Sequence, residues 1–180
     1  MNKHPHIKEI LYTQEFLDAE IKKCAEWINQ TYQTSDNLVI VGLLKGSIPF
    51  LAQLIKDVEV DHSLDFITAS SYAGGSQSKG SVKIIMDLAE DIFDKDVLIV
   101  EDIIDSGITL EKIQNLLLSR KPKSLRILTL LDKPFHRKND LQADFSAIKV
   151  PDEFLVGFGL DYKEKLRNLP YIGIFDKKYL

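Results

Sequence analysis

The sequence predicts an α/β fold, a mainly parallel twisted sheet with helices on both faces. The apolar runs LVIVGLL at residues 38–44 and VLIVE at residues 97–101 have the composition of strands buried on both faces. Residues 13–33 and 109–120 instead space their apolar side chains at helical intervals. With a strand predicted at 126–131, the second half of this pattern forms a βαβ unit, whose strands run parallel through a right-handed crossover.

The other elements follow from local signals. Thr13 is expected to cap the first helix, and Ser47 a second one with Pro49 in its first turn. Further strands are predicted at Leu64–Ser70, Val82–Met86, Phe145–Val150, Val156–Leu160 and Ile172–Phe175. The N- and C-terminal parts would add a small mixed hood, although the stretch around His4 and His6 is expected to be a loose tail. Cys24 shares the apolar face of the first helix, so we expect it in the core.

Length and composition limit the function. A chain of 180 residues favours one domain over residues 1–180. A net charge of -4 argues against a nucleic-acid partner, which usually requires a basic face. The single cysteine excludes an intrachain disulfide, no signal segment is visible, and no apolar run approaches bilayer length. We therefore expect a cytoplasmic protein with no membrane partner.

The stretch VLIVEDIIDSGITL at residues 97–110 is the most informative one in the chain. Ligands of open α/β sheets bind at the carboxyl ends of the strands, where Glu101, Asp102 and Asp105 would gather. The hydroxyls of Ser106 and Thr109 and the helix amides would form an anion site. Gly107, in the same segment, would let the backbone approach the anion closely.

Carboxylates next to a phosphate repel it unless they have another role. They can accept hydrogen bonds from sugar hydroxyls, or hold a Mg²⁺ ion that bridges to phosphate oxygens. A ribose 5-phosphate unit satisfies both conditions, with its phosphate at residues 105–109 and its hydroxyls at Glu101 and Asp102. The alternative is a solvated strand end in which Thr109 only caps a helix.

This stretch resembles the phosphoribosyl-diphosphate-binding motif of the type I phosphoribosyltransferases. Other segments, in the same order, resemble the bacterial hypoxanthine-guanine phosphoribosyltransferases: VGLLKGS, FITASSYAGG, TLLDKP, VPDEFLVGFGLDY and LPYIGIF. The resemblance extends from about Val39 to Phe175 and implies the α/β fold of that family. It also implies purine salvage: transfer of a phosphoribosyl group from 5-phosphoribosyl 1-diphosphate to N9 of hypoxanthine or guanine, releasing diphosphate.

The resemblance implies roles around the acidic stretch. Asp105 matches the general base near N7 of the purine. Glu101 and Asp102 match the acidic pair at the ribose hydroxyls and Mg²⁺. The 5′-phosphate cradle is matched by residues Ser106, Gly107, Ile108 and Thr109.

The resemblance also implies a base pocket. Lys133 matches the lysine that recognises the purine O6, and an ammonium group, which only donates, favours an oxo over an amino group. Phe154 matches the aromatic residue that stacks on the base. Leu155 lies where the family uses a backbone carbonyl to accept from the base.

Further matches concern the diphosphate and a lid. Lys45 and Gly46 match the diphosphate loop, where relatives have a cis peptide before the lysine. Asp161 matches an acid at a second Mg²⁺ ion, and Arg167 an arginine that contacts diphosphate. Residues Ser71 and Tyr72 match the start of a lid that would exclude water from an oxocarbenium-like ribose. By analogy we expect a homodimer or homotetramer.

Two features depart from the expected pattern or have no assigned role. Lys149 lies just before the Pro-Asp of the purine region, so it bears on base preference, and the basic loop 135–140 is expected to be solvated.

A second hypothesis is a regulator on the same fold that binds phosphoribosyl diphosphate as a signal and a nucleic acid as target. Such regulators usually need an added DNA-binding domain or a basic face. A phosphoacceptor receiver domain is rejected because its acidic pair lies in the first strand.

Overall fold

The computed structural model describes residues 3–71 and 82–180 and has the predicted α/β architecture. The helices are α1 (Gln14–Thr31), α2 (Ile48–Leu54) and α3 (Ile108–Leu118). The strands are β1 (Ile7–Tyr12), β2 (Leu38–Leu44), β3 (His62–Ser71), β4 (Val82–Met86), β5 (Asp96–Ile104), β6 (Ser124–Asp132), β7 (Phe145–Lys149), β8 (Leu155–Val156) and β9 (Ile172–Phe175). Among these described residues, no helix is both long and apolar enough to cross a bilayer.

The main sheet has the strand order β4-β3-β2-β5-β6-β7. Strands β3, β2, β5, β6 and β7 run parallel, and β4 pairs antiparallel with β3 at the edge. The register pairs Val41 with Ile99 and Ile99 with Ile127, so the central strands are level. The loops that follow these strands therefore meet at one edge of the sheet, as the prediction of a ligand site there requires.

Alternate residues of the central strands face opposite cores, which is the period of a strand. One core packs the sheet against α1 and α2, and its strand members include Leu38, Ile40, Leu98, Val100 and Leu128. The other packs it against α3, and its strand members include Val39, Val41, Val97, Ile99 and Ile127. Helices cover both faces, as predicted.

Local signals explain the first two helices. The Thr13 hydroxyl accepts a hydrogen bond from the Phe16 N–H at 3.3 Å, which confirms the predicted cap of α1. Ser47 does not cap α2 through its side chain, since its hydroxyl donates to the Leu43 carbonyl instead. Cys24 is fully buried, and burial raises the pKa of its thiol to about 12, so it is an unreactive core residue.

A small antiparallel sheet, in the order β1-β9-β8, forms the hood. The prediction of a loose N-terminal tail was wrong, because β1 pairs with β9 and buries Ile7, and the His4 N–H donates to the Tyr171 hydroxyl at 2.8 Å. Leu155 and Ile172 of the hood belong to the same buried cluster as Leu98 of the main sheet. That continuity supports the proposal of a single domain.

The strand predicted at Val156–Leu160 ends early, at Val156. Gly157, Phe158 and Gly159 have φ values of 99°, 47° and 100°, which no strand accommodates. The turn brings Gly159 against the diphosphate loop: a Cβ added there would lie 1.9 Å from the Gly46 carbonyl oxygen. Close backbone approach, not strand pairing, fixes this segment.

Candidate functional site

The acidic end of β5 carries charge that the protein does not fully compensate. Asp102 is only 9% exposed. Burial raises its pKa to about 6, although the Ile103 N–H and Arg167 oppose the shift. Burial and the neighbouring Asp102 charge raise the pKa of Glu101 well above its usual range. Buried carboxylates of this kind favour a cation or hydrogen-bond donors supplied from outside.

The diphosphate loop predicted at Lys45 and Gly46 lies directly on Asp102. The Leu44–Lys45 peptide is cis, as the resemblance implied. A Cβ added to Gly46 would lie 1.7 Å from Asp102 Oδ2, so only glycine fits there. Lys45 Nζ lies 2.9 Å from Glu164 Oε2, on the loop after β8.

Arg167 closes the same side of the site. Its guanidinium donates to the Gly159 carbonyl at 2.7 Å and lies 2.9 Å from Asp161 Oδ1. Together with Gly46, Glu101 and other residues of β2, β3 and α3, it lines a cavity of about 170 Å³. The structure therefore brings together the residues predicted to hold diphosphate and metal, with Asp161 held in an internal ion pair.

The loop after β5 has features that suit the predicted anion site. Gly107 has φ 77° and immediately precedes α3, which begins at Ile108, one residue before the predicted start. The first N–H groups of a helix have no partner within it, so they point toward the loop. A cavity of about 160 Å³ is lined by residues of this segment, among them Asp105, Ser106, Gly107 and Thr109. Its size and donors suit a phosphate group.

Most of the basic loop after β6 is exposed, as expected, but Arg137 is half-buried and packs against the backbone of the loop after β5. Arg137 donates from Nε to the Asp105 carbonyl at 3.2 Å and from Nη2 to the Ile104 carbonyl at 3.3 Å. It also forms an ion pair with Asp132. The Lys138 N–H donates to the next carbonyl along, that of Ser106, at 3.0 Å.

Asn139, on the same loop, explains why position 107 is glycine. A Cβ on Gly107 would lie 2.5 Å from Asn139 Oδ1 and 2.9 Å from Arg137 Cδ. The positive φ of Gly107 makes any side chain there unfavourable as well. The loop after β6 thus fixes the backbone of the loop after β5.

The residues predicted to bind the base follow β6 and β7. Lys133 is 6% exposed; its ammonium donates to the Glu153 carbonyl at 3.0 Å and lies 3.3 Å from Asp152 Oδ1. Phe154 is 41% exposed, and its ring meets the Phe175 ring edge-on at 5.6 Å. An aromatic ring held at its edge and open on one side can stack on a planar ligand.

Comparisons with known proteins agree with this geometry. Residues 6–163 match the model of the phosphoribosyl transferase domain. The chain belongs to the phosphoribosyltransferase family. It is 51% identical to a hypoxanthine-guanine phosphoribosyltransferase of Staphylococcus aureus, over 94% of each chain. It is 48% identical to a hypoxanthine phosphoribosyltransferase of Salmonella typhimurium, over 93% of this chain and 95% of that one.

Solved phosphoribosyltransferase structures share the fold. A crystal structure of a hypoxanthine phosphoribosyltransferase from Staphylococcus aureus matches with a TM-score of 0.94 at 49% identity, covering 99% of this chain and 98% of that chain. A Trypanosoma cruzi hypoxanthine phosphoribosyltransferase mutant complexed with the product IMP matches with a TM-score of 0.92 at 32% identity, covering 99% and 96%. The predicted family and fold class are confirmed.

Two residues of the site were not predicted from the sequence, and one predicted part lies outside the residues that the structure describes. Sequence reasoning missed His136 and Asp152, which contact Asp105 and Lys133 respectively. The signal available was position: each follows a strand whose carboxyl end lies at the ligand edge. The lid predicted at Ser71 and Tyr72 begins where β3 ends, and residues 72–81 lie outside the described part of the chain.

Proposed function

We propose that this phosphoribosyltransferase transfers the phosphoribosyl group of 5-phosphoribosyl 1-diphosphate to N9 of hypoxanthine or guanine, giving IMP or GMP and diphosphate. One observation carries the proposal: Glu101 and Asp102, whose pKa values burial raises, lie on β5 just before the anion cavity around residues 105–109, and the buried Lys133 follows the neighbouring strand β6. The names of the relatives, hypoxanthine(-guanine) phosphoribosyltransferases, support the same reaction.

The phosphoribosyl end of the substrate binds along β5. The 5′-phosphate accepts hydrogen bonds from the amides and hydroxyls of Ser106, Gly107, Ile108 and Thr109, because helix N-termini favour anions. The ribose hydroxyls donate to the carboxylates of Glu101 and Asp102. Charged acceptors make such hydrogen bonds stronger than neutral ones.

The diphosphate group lies toward the loop that begins with the cis peptide. Gly46 leaves the room that a side chain would fill, and Lys45 supplies a cation. Arg167 donates on the opposite side, from a position fixed by its hydrogen bond to the Gly159 carbonyl. These donors stabilise the charge that develops on diphosphate as it leaves.

The acids fit Mg²⁺ bound together with substrate. Within residues 3–71 and 82–180, no cluster of three or more His, Cys, Asp or Glu side chains could hold a metal alone. Mg²⁺ commonly uses one or two carboxylates with substrate oxygens and water, which Glu101 and Asp102 suit, with Asp161 proposed at a second ion. When bound, the ion would neutralise the departing diphosphate.

The purine binds against the Phe154 ring, with its oxo group at Lys133. The lysine already donates to the Glu153 carbonyl, and an ammonium has three donors, so a further hydrogen bond is available. The Leu155 carbonyl accepts from the base. Asp105, whose carboxylate is exposed to the pocket, takes the proton from N7 as N9 attacks the ribose.

We also propose a homo-oligomer, a dimer or a tetramer, that acts on small molecules in the cytoplasm. A wholly apolar groove of about 370 Å³, lined by Leu44, Ile48, Leu64, Phe66 and neighbours, lies on the α2 side of β3. Ile48 is 50% exposed there, and a second copy would cover it. Sedimentation of the purified chain tests this proposal: a monomer at micromolar concentration contradicts it.

Initial rates of diphosphate release test the reaction. They are measured with Mg²⁺ and 5-phosphoribosyl 1-diphosphate for hypoxanthine, guanine, xanthine and adenine in parallel. We expect turnover with 6-oxopurines and little with adenine, and Lys133→Met should narrow that difference. Binding of phosphoribosyl diphosphate without turnover of any base would support the regulator instead.

A further inference from the structure

His136 lies between two carboxylates from different loops. Its Nδ1 is 3.0 Å from Asp105 Oδ1, and its Nε2 is 2.8 Å from Asp152 Oδ1. Asp105 follows β5, and Asp152 follows β7, which are not neighbours in the sheet. The imidazole therefore bridges two loops that the strands themselves do not join.

The chemistry of this bridge fixes the protonation state that it needs. An ionised carboxylate only accepts hydrogen bonds, and a neutral imidazole has a single N–H. A carboxylate oxygen within 3.0 Å of each ring nitrogen is favourable only when both nitrogens of His136 carry protons. Loss of one proton turns a nitrogen lone pair toward a carboxylate, and that contact becomes repulsive.

The bridge connects the two groups that handle the purine. Asp152 Oδ1 also lies 3.3 Å from Lys133 Nζ. Lys133 and His136 together hold the pKa of Asp152 below its usual range. Arg137, the remaining charged side chain nearby, uses its Nε on the Asp105 carbonyl and not on the carboxylate. No other element places a charged side chain in an ion pair with His136 among the described residues.

We propose that His136 is a positioning residue for the transfer step: doubly protonated, it holds the Asp105 carboxylate in a fixed relation to Lys133. The inference rests on the proposed function, since it takes Asp105 as the base. Without the bridge the Asp105 carboxylate can rotate away from the purine, and removal of the N7 proton becomes slower. The proposed phosphate donors are Ser106, Gly107, Ile108 and Thr109, so we expect the KM for phosphoribosyl diphosphate to change little.

Three variants separate the two contacts. The side-chain amide of His136→Asn reaches about as far as Nδ1 and keeps an uncharged donor to Asp105. The side-chain amide of His136→Gln reaches about as far as Nε2 and keeps an uncharged donor to Asp152. His136→Ala keeps neither. We expect kcat/KM for hypoxanthine to fall about ten-fold in His136→Ala, the cost of a charged hydrogen bond, and to be largely rescued in His136→Asn only.

The pH profile distinguishes positioning from simple packing. A histidine can lose a ring proton as pH rises, whereas asparagine has none to lose. The ratio of wild-type to His136→Asn kcat/KM should therefore fall as pH rises. The ratio cancels the ionisation of the substrates, which is common to both enzymes.

His62→Gln is the matched control, because His62 opens β3 at the opposite end of the sheet and contacts the Val60 carbonyl. It should follow the wild-type profile. Equal kcat/KM in wild type and His136→Ala, or a ratio to His136→Asn that does not change with pH, would overturn the proposal.

A measurement on the unmodified enzyme covers the case in which a variant misfolds. With ¹⁵N-labelled histidine at pH 6, both ring N–H groups of His136 should be detected and protected from solvent exchange. Rapid exchange of either proton overturns the bridge. If the wild type turned over no 6-oxopurine, the proposed function would fail, while the N–H measurement would still decide whether the bridge exists.

Discussion

The ends of β5 and β6 and the loops that follow them lie side by side, and they differ in how far neighbouring groups compensate their charges. Near the end of β5, burial raises the pKa values of Glu101 and Asp102, and Arg167 only partly offsets the shift of Asp102. After β6, Arg137 forms an ion pair with Asp132 and donates to backbone carbonyls. Uncompensated charge marks where a ligand supplies the missing partner, and compensated charge marks the scaffold that holds it.

The two strand ends also differ in how they reduce the stability of the folded protein. Buried acids without a full partner reduce stability when they ionise, and this cost is recovered only when ligand binds. A buried ion pair is costly to form and more costly to break from one side. Substitutions in the two loops should therefore change activity and stability in different combinations.

Removing Arg137 should have the largest effect on stability. Arg137→Met leaves the Asp132 carboxylate, 19% exposed, without its cation, and we expect a loss of about 3 kcal/mol in the free energy of unfolding. Urea denaturation measures it. Adding Asp132→Asn should restore part of the loss, because the orphaned charge is then gone. Additive losses in the double variant would show that the pair's charge is not what matters.

Gly46→Ala should lower activity by displacing Asp102, without a loss of stability comparable to that of Arg137→Met. The added Cβ would lie 1.7 Å from Asp102 Oδ2, so the carboxylate and the diphosphate loop must separate. A displacement of about 1 Å in an active site can lower the rate by about 100-fold, and we expect a loss of that size in kcat/KM for phosphoribosyl diphosphate.

Gly42→Ala, on the strand β2 that leads to this loop, is the matched control. Its Cβ would meet the end of the Leu51 side chain at 2.8 Å, which can move. We expect activity near that of the wild type. Equal losses in the two variants would mean that strand distortion, not the contact with Asp102, causes the effect of Gly46→Ala.

Asp102→Asn should make the protein more stable and less active. A pKa of about 6 lies roughly two units above the ordinary value, which corresponds to at most about 3 kcal/mol of destabilisation when the group ionises. That shift already includes the opposing attraction of Arg167, so we expect a gain of about 2 kcal/mol at pH 7, together with slower turnover.

The sign of the pH dependence tests this explanation. Between about pH 4 and 6 the folded wild type holds more protons than the unfolded chain, so its stability falls as pH rises. Asp102→Asn lacks this contribution, and its advantage should appear across that window and persist above it. Thermal unfolding at several pH values measures the difference; a constant difference would contradict the buried-charge account.

The main sheet could be predicted from sequence because each of its buried strands is a continuous apolar run. The acidic residues after that run in β5 were equally conspicuous, but β5 continues to Ile104, three residues beyond its predicted end at Glu101. β1 was not predictable, because its residues IKEILY do not alternate and its pairing with β9 joins the two ends of the chain. Such long-range pairing leaves no local signal.

The site shows the same limit. Lys133 could be placed because it follows an apolar strand at the carboxyl edge. The contacts of His136 and Arg137 could not, since they depend on how three separate loops meet, and a run of basic residues is typical of a solvated loop. Likewise, the turn at Gly159 is fixed by its approach to Gly46, which only the folded chain reveals.

The raised pKa of Asp102 has a consequence for ligand exchange. In mildly acidic solution a proton competes at the Asp102 carboxyl with any cation or hydroxyl group that binds there, because burial raises its pKa to about 6. Binding then releases that proton to the buffer, and departure of the product takes one back. The enzyme would therefore couple each turnover to a cycle of proton uptake and release, separate from the proton that the purine loses.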